Sequence, residues 1–234
     1  MVASRESAEI TSTDIWLQLL RQHKAIAVIR CDNFELAYRM ARSVAAAGMH
    51  LIEITWNCDR PEQLITRLRN ELPQCTIGTG TILNLAELER AVAAGAQFAF
   101  SPVFDAQLLE VCRDHYRIPF VPGIFTPTEA VQAWHRGAKV VKVFPIKSLG
   151  GAEYIKCLQK PLGHIPFIPT GGVTIANAPR MLEAGAIAVG ISSSLFPQQA
   201  IANHQWSQIT QRTQNLLKQL QKIDSTEKSS EFWF

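Results

Sequence analysis

Eight short apolar runs, each followed by a helix-forming stretch, set the strongest constraint on what this 234-residue chain can fold into. The runs open near Ala25 (AIAVI), His50 (HLIEIT), Thr76 (TIG), Gln97 (QFAFS), Pro119 (PFVPG), Lys139 (KVVKVF), Pro166 (PFIPTGG) and Ala186 (AIAVGIS). They are rich in β-branched and aromatic residues, as strands prefer. Between them lie helical segments: Asn33 to Ala47, Pro61 to Leu72, Leu85 to Ala94, Ala106 to His115, Pro127 to Arg136, Ala152 to Gln159, Ile175 to Glu183, and a long one from Pro197 to Lys222. Four of the breaks carry glycine just before the next strand, at Gly48, Gly95, Gly137 and Gly185, where a left-handed residue would stop the helix. With strand starts roughly 20 to 30 residues apart, the pattern predicts an α/β protein built as a single (β/α)8 TIM barrel. An open doubly wound sheet is the alternative, but that fold announces itself with a glycine-rich turn after its first strand, and here AIAVI runs into Arg30-Cys31-Asp32.

Ser12 or Thr13 can cap an N-terminal helix through about His23, with Ile15, Trp16, Leu19 and Leu20 at helical spacing. The barrel domain is thus expected over 12–222, with polar tails at 1–11 and 223–234. The second tail ends Phe232-Trp233-Phe234, and the sequence leaves open whether those rings dock or stay free.

Composition excludes more than it proposes. A net charge of +3, from basic residues scattered singly, gives no stripe for nucleic acid. Five separated cysteines without a CxxC or a Cys/His cluster argue for a reducing compartment and against a metal site. With no apolar leader and no run long enough to span a bilayer, the expected location is the cytoplasm, off the membrane.

In a barrel of this kind chemistry gathers where strands end. That rim comprises Arg30, Glu53 and Thr55, Thr79 and Thr81, Ser101 and Pro102, Pro122 and Gly123, Lys142 and Phe144, Thr170 to Gly172, and Gly190 to Ser193. Lys142 and Glu53 stand out because each interrupts an apolar strand, where a charge must be paired or its pKa must shift. Either alone is more often a structural ion than a catalyst. Together they read as a functional pair: an amine that loses its proton can attack a carbonyl and form an imine, and the carboxylate can move protons. PTGGV and VGISSS, after the seventh and eighth strands, expose backbone N–H groups and hydroxyls where such barrels hold phosphate. Arg30 can either reach over the rim to grip a carboxylate or stand solvated in its loop. An isomerase or epimerase of phosphosugars would use the same barrel and loops without an imine.

The motifs LIEIT with Glu53, GTGTILN with Thr81, GAQFAFSP ending at Pro102, PFVPGIFTPTE, KVFP with Lys142, and PTGGV with GISSS occur in this order from about Lys24 to Pro197. In them the chain resembles the 2-keto-3-deoxy-6-phosphogluconate (KDPG) aldolases, a family that includes 4-hydroxy-2-oxoglutarate and 6-phosphogalactonate aldolases. The resemblance implies a class I aldolase without metal or cofactor, cleaving KDPG to pyruvate and glyceraldehyde 3-phosphate. It makes Lys142 the Schiff-base nucleophile and Glu53 the acid/base, with Thr81, Pro102 and Phe144 at the pyruvate end. Thr170, Gly171, Gly172 and Ser193 would hold the phosphate, and the family's habit implies a homotrimer. One position departs: many members carry an arginine four residues after the glutamate, where this chain has Asn57. Either Arg30 takes over that carboxylate or the substrate preference differs.

Overall fold

The structure is a computed structural model, and it describes residues 12–227. Among the described residues nine parallel strands occur, with helices between all neighbours except β5 and β6: β1 (Ala25–Ile29), β2 (Leu51–Thr55), β3 (Thr76–Gly80), β4 (Ala99–Phe100), β5 (Phe120–Val121), β6 (Gly123–Ile124), β7 (Val141–Val143), β8 (Phe167–Pro169) and β9 (Val189–Ile191). They form a curled six-stranded sheet in the order β5-β4-β3-β2-β1-β9 and a three-stranded sheet, β6-β7-β8. The architecture is α/β, as expected, but the hydrogen bonding does not draw one unbroken eight-stranded barrel. The expected strand PFVPG is divided at Pro122, which has no N–H to give to a ladder. The two sheets adjoin there, where Pro122 O accepts from Lys142 N–H at 2.8 Å, and again between β8 and β9, where Ile187 N–H reaches Phe167 O at 3.0 Å and Thr170 bridges Gly190.

The helices are α1 (Ser12–His23), α2 (Phe34–Ala46), α3 (Pro61–Glu71), α4 (Leu85–Ala93), α5 (Ala106–Val111), α6 (Pro127–His135), α7 (Ala152–Leu162), α8 (Ala178–Glu183), α9 (Gln198–Ala202) and α10 (Trp206–Glu227). Their starts are chemically marked. Asn33, Asn84 and Asp105 cap α2, α4 and α5 through their side chains, and Thr126 with Glu129 closes a capping box on α6. Gly48, Gly95, Gly137 and Gly185 all take positive φ, as the sequence predicts for helix stops. Three expected helices differ. The one expected from Ala106 to His115 is α-helical only to Val111 and then widens into a π-helical turn over Cys112–Tyr116. The stretch expected from Ile175 becomes helical only at Ala178, because Thr174 and Asn177 first exchange side-chain to backbone bonds in a turn. The long last helix is broken at Asn203–Gln205, where His204 turns left-handed at φ 52°; α10 then continues to Glu227, past the expected limit of the helix.

Two apolar clusters hold the fold. The larger lies between the strands and their surrounding helices. The smaller fills the space enclosed by the strands at their starting ends: Ile26, Leu51, Phe98, Val140 and Ala188 meet Trp16 and Leu20 of α1, which plugs that end. The Trp16 ring stacks on Phe98 at 4.6 Å and meets Phe100 edge-on at 6.4 Å. Burying a side chain of that size contributes about 4 to 6 kcal/mol by area. Its indole N–H finds no partner among the described residues, which offsets about 1–3 kcal/mol.

Candidate active site

At the opposite ends of the same strands the interior changes character. Period-two alternation turns Val28 of β1 and Arg30 just past its end, Glu53 of β2, and Lys142 of β7 and Phe144 just past its end toward one cavity of about 400 Å³. Glu53 is paired in register with Val28 and Gly78, and Lys142 with Gly123 and Ile168, so both side chains rise from hydrogen-bonded backbone and not from loops. Both are withdrawn from solvent, at 1% and 4% exposure.

Glu53 occupies space that only a glycine leaves. A Cβ at Gly80 would lie 1.8 Å from Glu53 Oε1, so the second glycine of GTGT lets the carboxylate lie across β3. Oε1 has no hydrogen-bond partner among the described residues, leaving an acceptor directed at the cavity. Lys142 Nζ sits 4.9 Å from the centre of the Phe144 ring and 5.8 Å from that of Phe100.

Burial dominates the electrostatics of both groups. It pushes Lys142 down from 10.5, Glu53 pulls it back up, and Arg30 pushes it further down. It pushes Glu53 up from 4.5, against the attraction of Lys142 and Arg30. The pocket therefore favours a neutral amine beside a carboxylic acid, poised to attack a carbonyl and to deliver a proton. Lys139 and Lys147 are exposed, the first at the plugged end and the second on the short helical turn Ile146–Leu149.

The anion-binding candidates are brought to the same cavity: Thr170, Gly171, Gly172 and Ser193 line it with Arg30 and Phe144. Gly171 and Gly172 both hold positive φ, 82° and 97°, and the turn lies so close over the next loop that a Cβ would meet the Phe144 ring at 2.9 Å and Lys147 Cβ at 2.4 Å. Thr81 and Pro102 are half-buried after β3 and β4 and do not line it. Thr81 is held left-handed at φ 62°, unusual for a β-branched residue. Asn57 is exposed after β2.

Sequence reasoning missed part of the wall. Met40 of α2, Phe196, and Gln198 and Ile201 of α9 also line the cavity, beside Ser192 of the expected rim. The loop carrying the serines is anchored by Arg212 of α10, which donates to Ser194 O at 2.9 and 2.7 Å. Pro197 marks where α9 starts but gives no signal that this helix is short and separate from α10.

The sequence model of the KDPG and KHG aldolases matches residues 17–212. The chain belongs to that aldolase family. Among KDPG aldolase relatives, the 2-dehydro-3-deoxy-phosphogluconate aldolase of Treponema pallidum is 32% identical over 207 residues, covering 86% of this chain and 95% of that protein. The KHG/KDPG aldolase of Escherichia coli K12 is 31% identical over 192 residues, covering 82% and 90%. The KDPG aldolase of Legionella pneumophila, solved with pyruvate captured at low pH as a covalent carbinolamine intermediate, superposes with a TM-score of 0.79 at 30% identity, over 86% of this chain and 97% of that one. Among the described residues no helix is long and apolar enough to cross a membrane, and no three His, Cys, Asp or Glu side chains group as a metal site would require.

Proposed function

We propose that the chain is a class I aldolase that reversibly cleaves KDPG to pyruvate and glyceraldehyde 3-phosphate. The observation that carries this reading is the pairing of a buried Lys142, its amine pushed toward the neutral form, with a buried Glu53 in one cavity. Neutral Lys142 Nζ attacks the C2 ketone and gives a carbinolamine. Glu53 supplies the proton with which water leaves, and a protonated imine remains. Glu53, now a carboxylate, takes the C4 hydroxyl proton directly or through a water. The C3–C4 bond breaks, its electrons enter the imine, and glyceraldehyde 3-phosphate departs. The enamine is protonated at C3 and hydrolysed to pyruvate and free Lys142. No step calls on a metal or cofactor.

In this reading Arg30 holds the substrate carboxylate in place of the arginine that Asn57 replaces, and Phe144, with Thr81 and Pro102 behind the wall, borders the pyruvate end. Thr170, Gly171, Gly172 and Ser193 hold the phosphate through N–H groups and hydroxyls. The two sheets act as one closed barrel over 12–222. Among the described residues four large apolar side chains are exposed, and three of them, Leu83, Val103 and Phe125, stand on loops after β3, β4 and β6. We infer self-association through them, as a trimer, in the cytoplasm.

Specificity constants for KDPG, its galactonate epimer and unphosphorylated 4-hydroxy-2-oxoglutarate test the substrate. A clear preference for the phosphorylated acids supports the role given to the two loops, whereas equal constants remove it. Asn57 motivates one second reading, in which the galactonate epimer or the hydroxyoxoglutarate is the better substrate. Activity lost to a chelator would replace the imine with metal chemistry.

A further inference from the structure

Two cysteines that the proposed reaction does not use meet at the rim beside Arg30. Cys31 follows Arg30 at the end of β1, and Cys58 follows Asn57 after β2, the neighbouring strand. Cys31 N–H donates to Cys58 Sγ at 3.4 Å, Asp59 N–H to Cys31 O at 3.1 Å, and Phe34 N–H to Asp59 Oδ2 at 3.1 Å, so the two loops are stitched together. The other three thiols lie apart from this pair. Burial pushes Cys75 up to about 11 and Cys112 up to about 12, and Cys157 is exposed on α7.

We propose that Cys31 and Cys58 are a redox modification site: a hydroperoxide converts them to a reversible disulfide that draws the Arg30 segment away from the substrate carboxylate. The contact at 3.4 Å places Cys58 Sγ within about 5 Å of Cys31 Cα, so a side-chain rotation with a small loop shift reaches disulfide geometry. Oxidation orphans no buried carbonyl. Cys58 Sγ now donates to Ile29 O at 3.4 Å, but that oxygen also accepts from Thr55 Oγ1 at 3.1 Å and keeps this bond when the thiol proton is lost.

The half-buried Cys31 is the thiol a peroxide reaches. Its thiolate attacks the terminal peroxide oxygen, the O–O bond breaks, and an alcohol or water leaves as Cys31 becomes a sulfenic acid. Cys58 gives up its proton and attacks the Cys31 sulfur; the S–S bond forms, the S–O bond breaks and water departs. Two thiols have lost two electrons and the peroxide has gained them. Burial holds the Cys58 pKa up, which keeps the pair reduced until an oxidant has first activated Cys31.

The inference rests on the aldolase reading only in its activity arm. The full-length chain is treated with hydrogen peroxide, digested with trypsin without reductant and examined by mass spectrometry, while KDPG cleavage is followed in parallel. We expect residues 31–39 linked to residues 43–67, a fall in kcat/KM of about tenfold or more carried mainly by KM, and recovery with dithiothreitol. Cys31→Ser and Cys58→Ser should each prevent both the link and the fall, whereas Cys157→Ser should prevent neither. No linked peptide, a linked peptide with unchanged kcat/KM, or inactivation that persists in both serine variants overturns the proposal. The linked peptide is read by mass and decides the disulfide whichever substrate the enzyme prefers.

Discussion

The two ends of the strand-enclosed space are built from the same strands yet do opposite things. At the starting ends, Trp16, Leu20, Phe98 and Phe100 interlock into a dry plug, and the cavity beside them, at about 790 Å³ the larger one, is bordered by exposed Arg113, Arg117 and Lys139. At the finishing ends a cavity of about 400 Å³ contains the buried amine and carboxylate. On the proposed function, volume therefore does not locate the chemistry; buried charge does. One end spends apolar area on stability, and the other gives up stability to hold two ionisable groups away from water.

The comparison can be broken first at Lys142. Lys142→Ala should reduce KDPG cleavage to background, a loss of about four orders of magnitude or more, in a chain that still folds. Glu53→Gln should lower kcat by about 10² to 10⁴ while imine formation with pyruvate continues slowly. Gly80→Ala tests the space beneath the carboxylate. Its methyl must displace Glu53, and a misplacement of an ångström should lower kcat by about 10² with far-UV dichroism unchanged.

A smaller effect separates the ends by pH. Because the folded-state pKa of Lys142 lies below 10.5, the folded chain carries the full cost of the buried charge at low pH and sheds it as pH rises toward 10.5. Lys142→Met should therefore unfold at higher denaturant than the parent at neutral pH, with the gap closing at alkaline pH; a gap that widens would reverse the sign. Least of all should activity respond at the plug: Trp16→Ala should cost about 3–5 kcal/mol of stability in urea unfolding, yet leave kcat of the folded fraction within about twofold.

How far the sequence disclosed this depends on whether a feature is local. Lys142 and Glu53 were visible because each interrupts an apolar run, and the strand rhythm was visible because glycines stop the helices before it. The split at Pro122 was written in PFVPG, but its consequence is a break in a ladder whose partner lies elsewhere in the chain. Gly80 under Glu53 and Arg212 on Ser194 are contacts between distant segments, and neither residue type marks its partner. The break at His204 carries no glycine or proline, so nothing local separates α9 from α10. Gln198 and Ile201 were hidden for that reason, inside what reads as one long helix.

The central claim is that Lys142 is the amine that meets the substrate. Incubation with pyruvate and borohydride, followed by peptide mass spectrometry, should place the reduced adduct on Lys142 and on no other lysine, and Lys142→Ala should carry none. An adduct on Lys139 or Lys147, or no adduct from an enzyme that turns over KDPG, would contradict it.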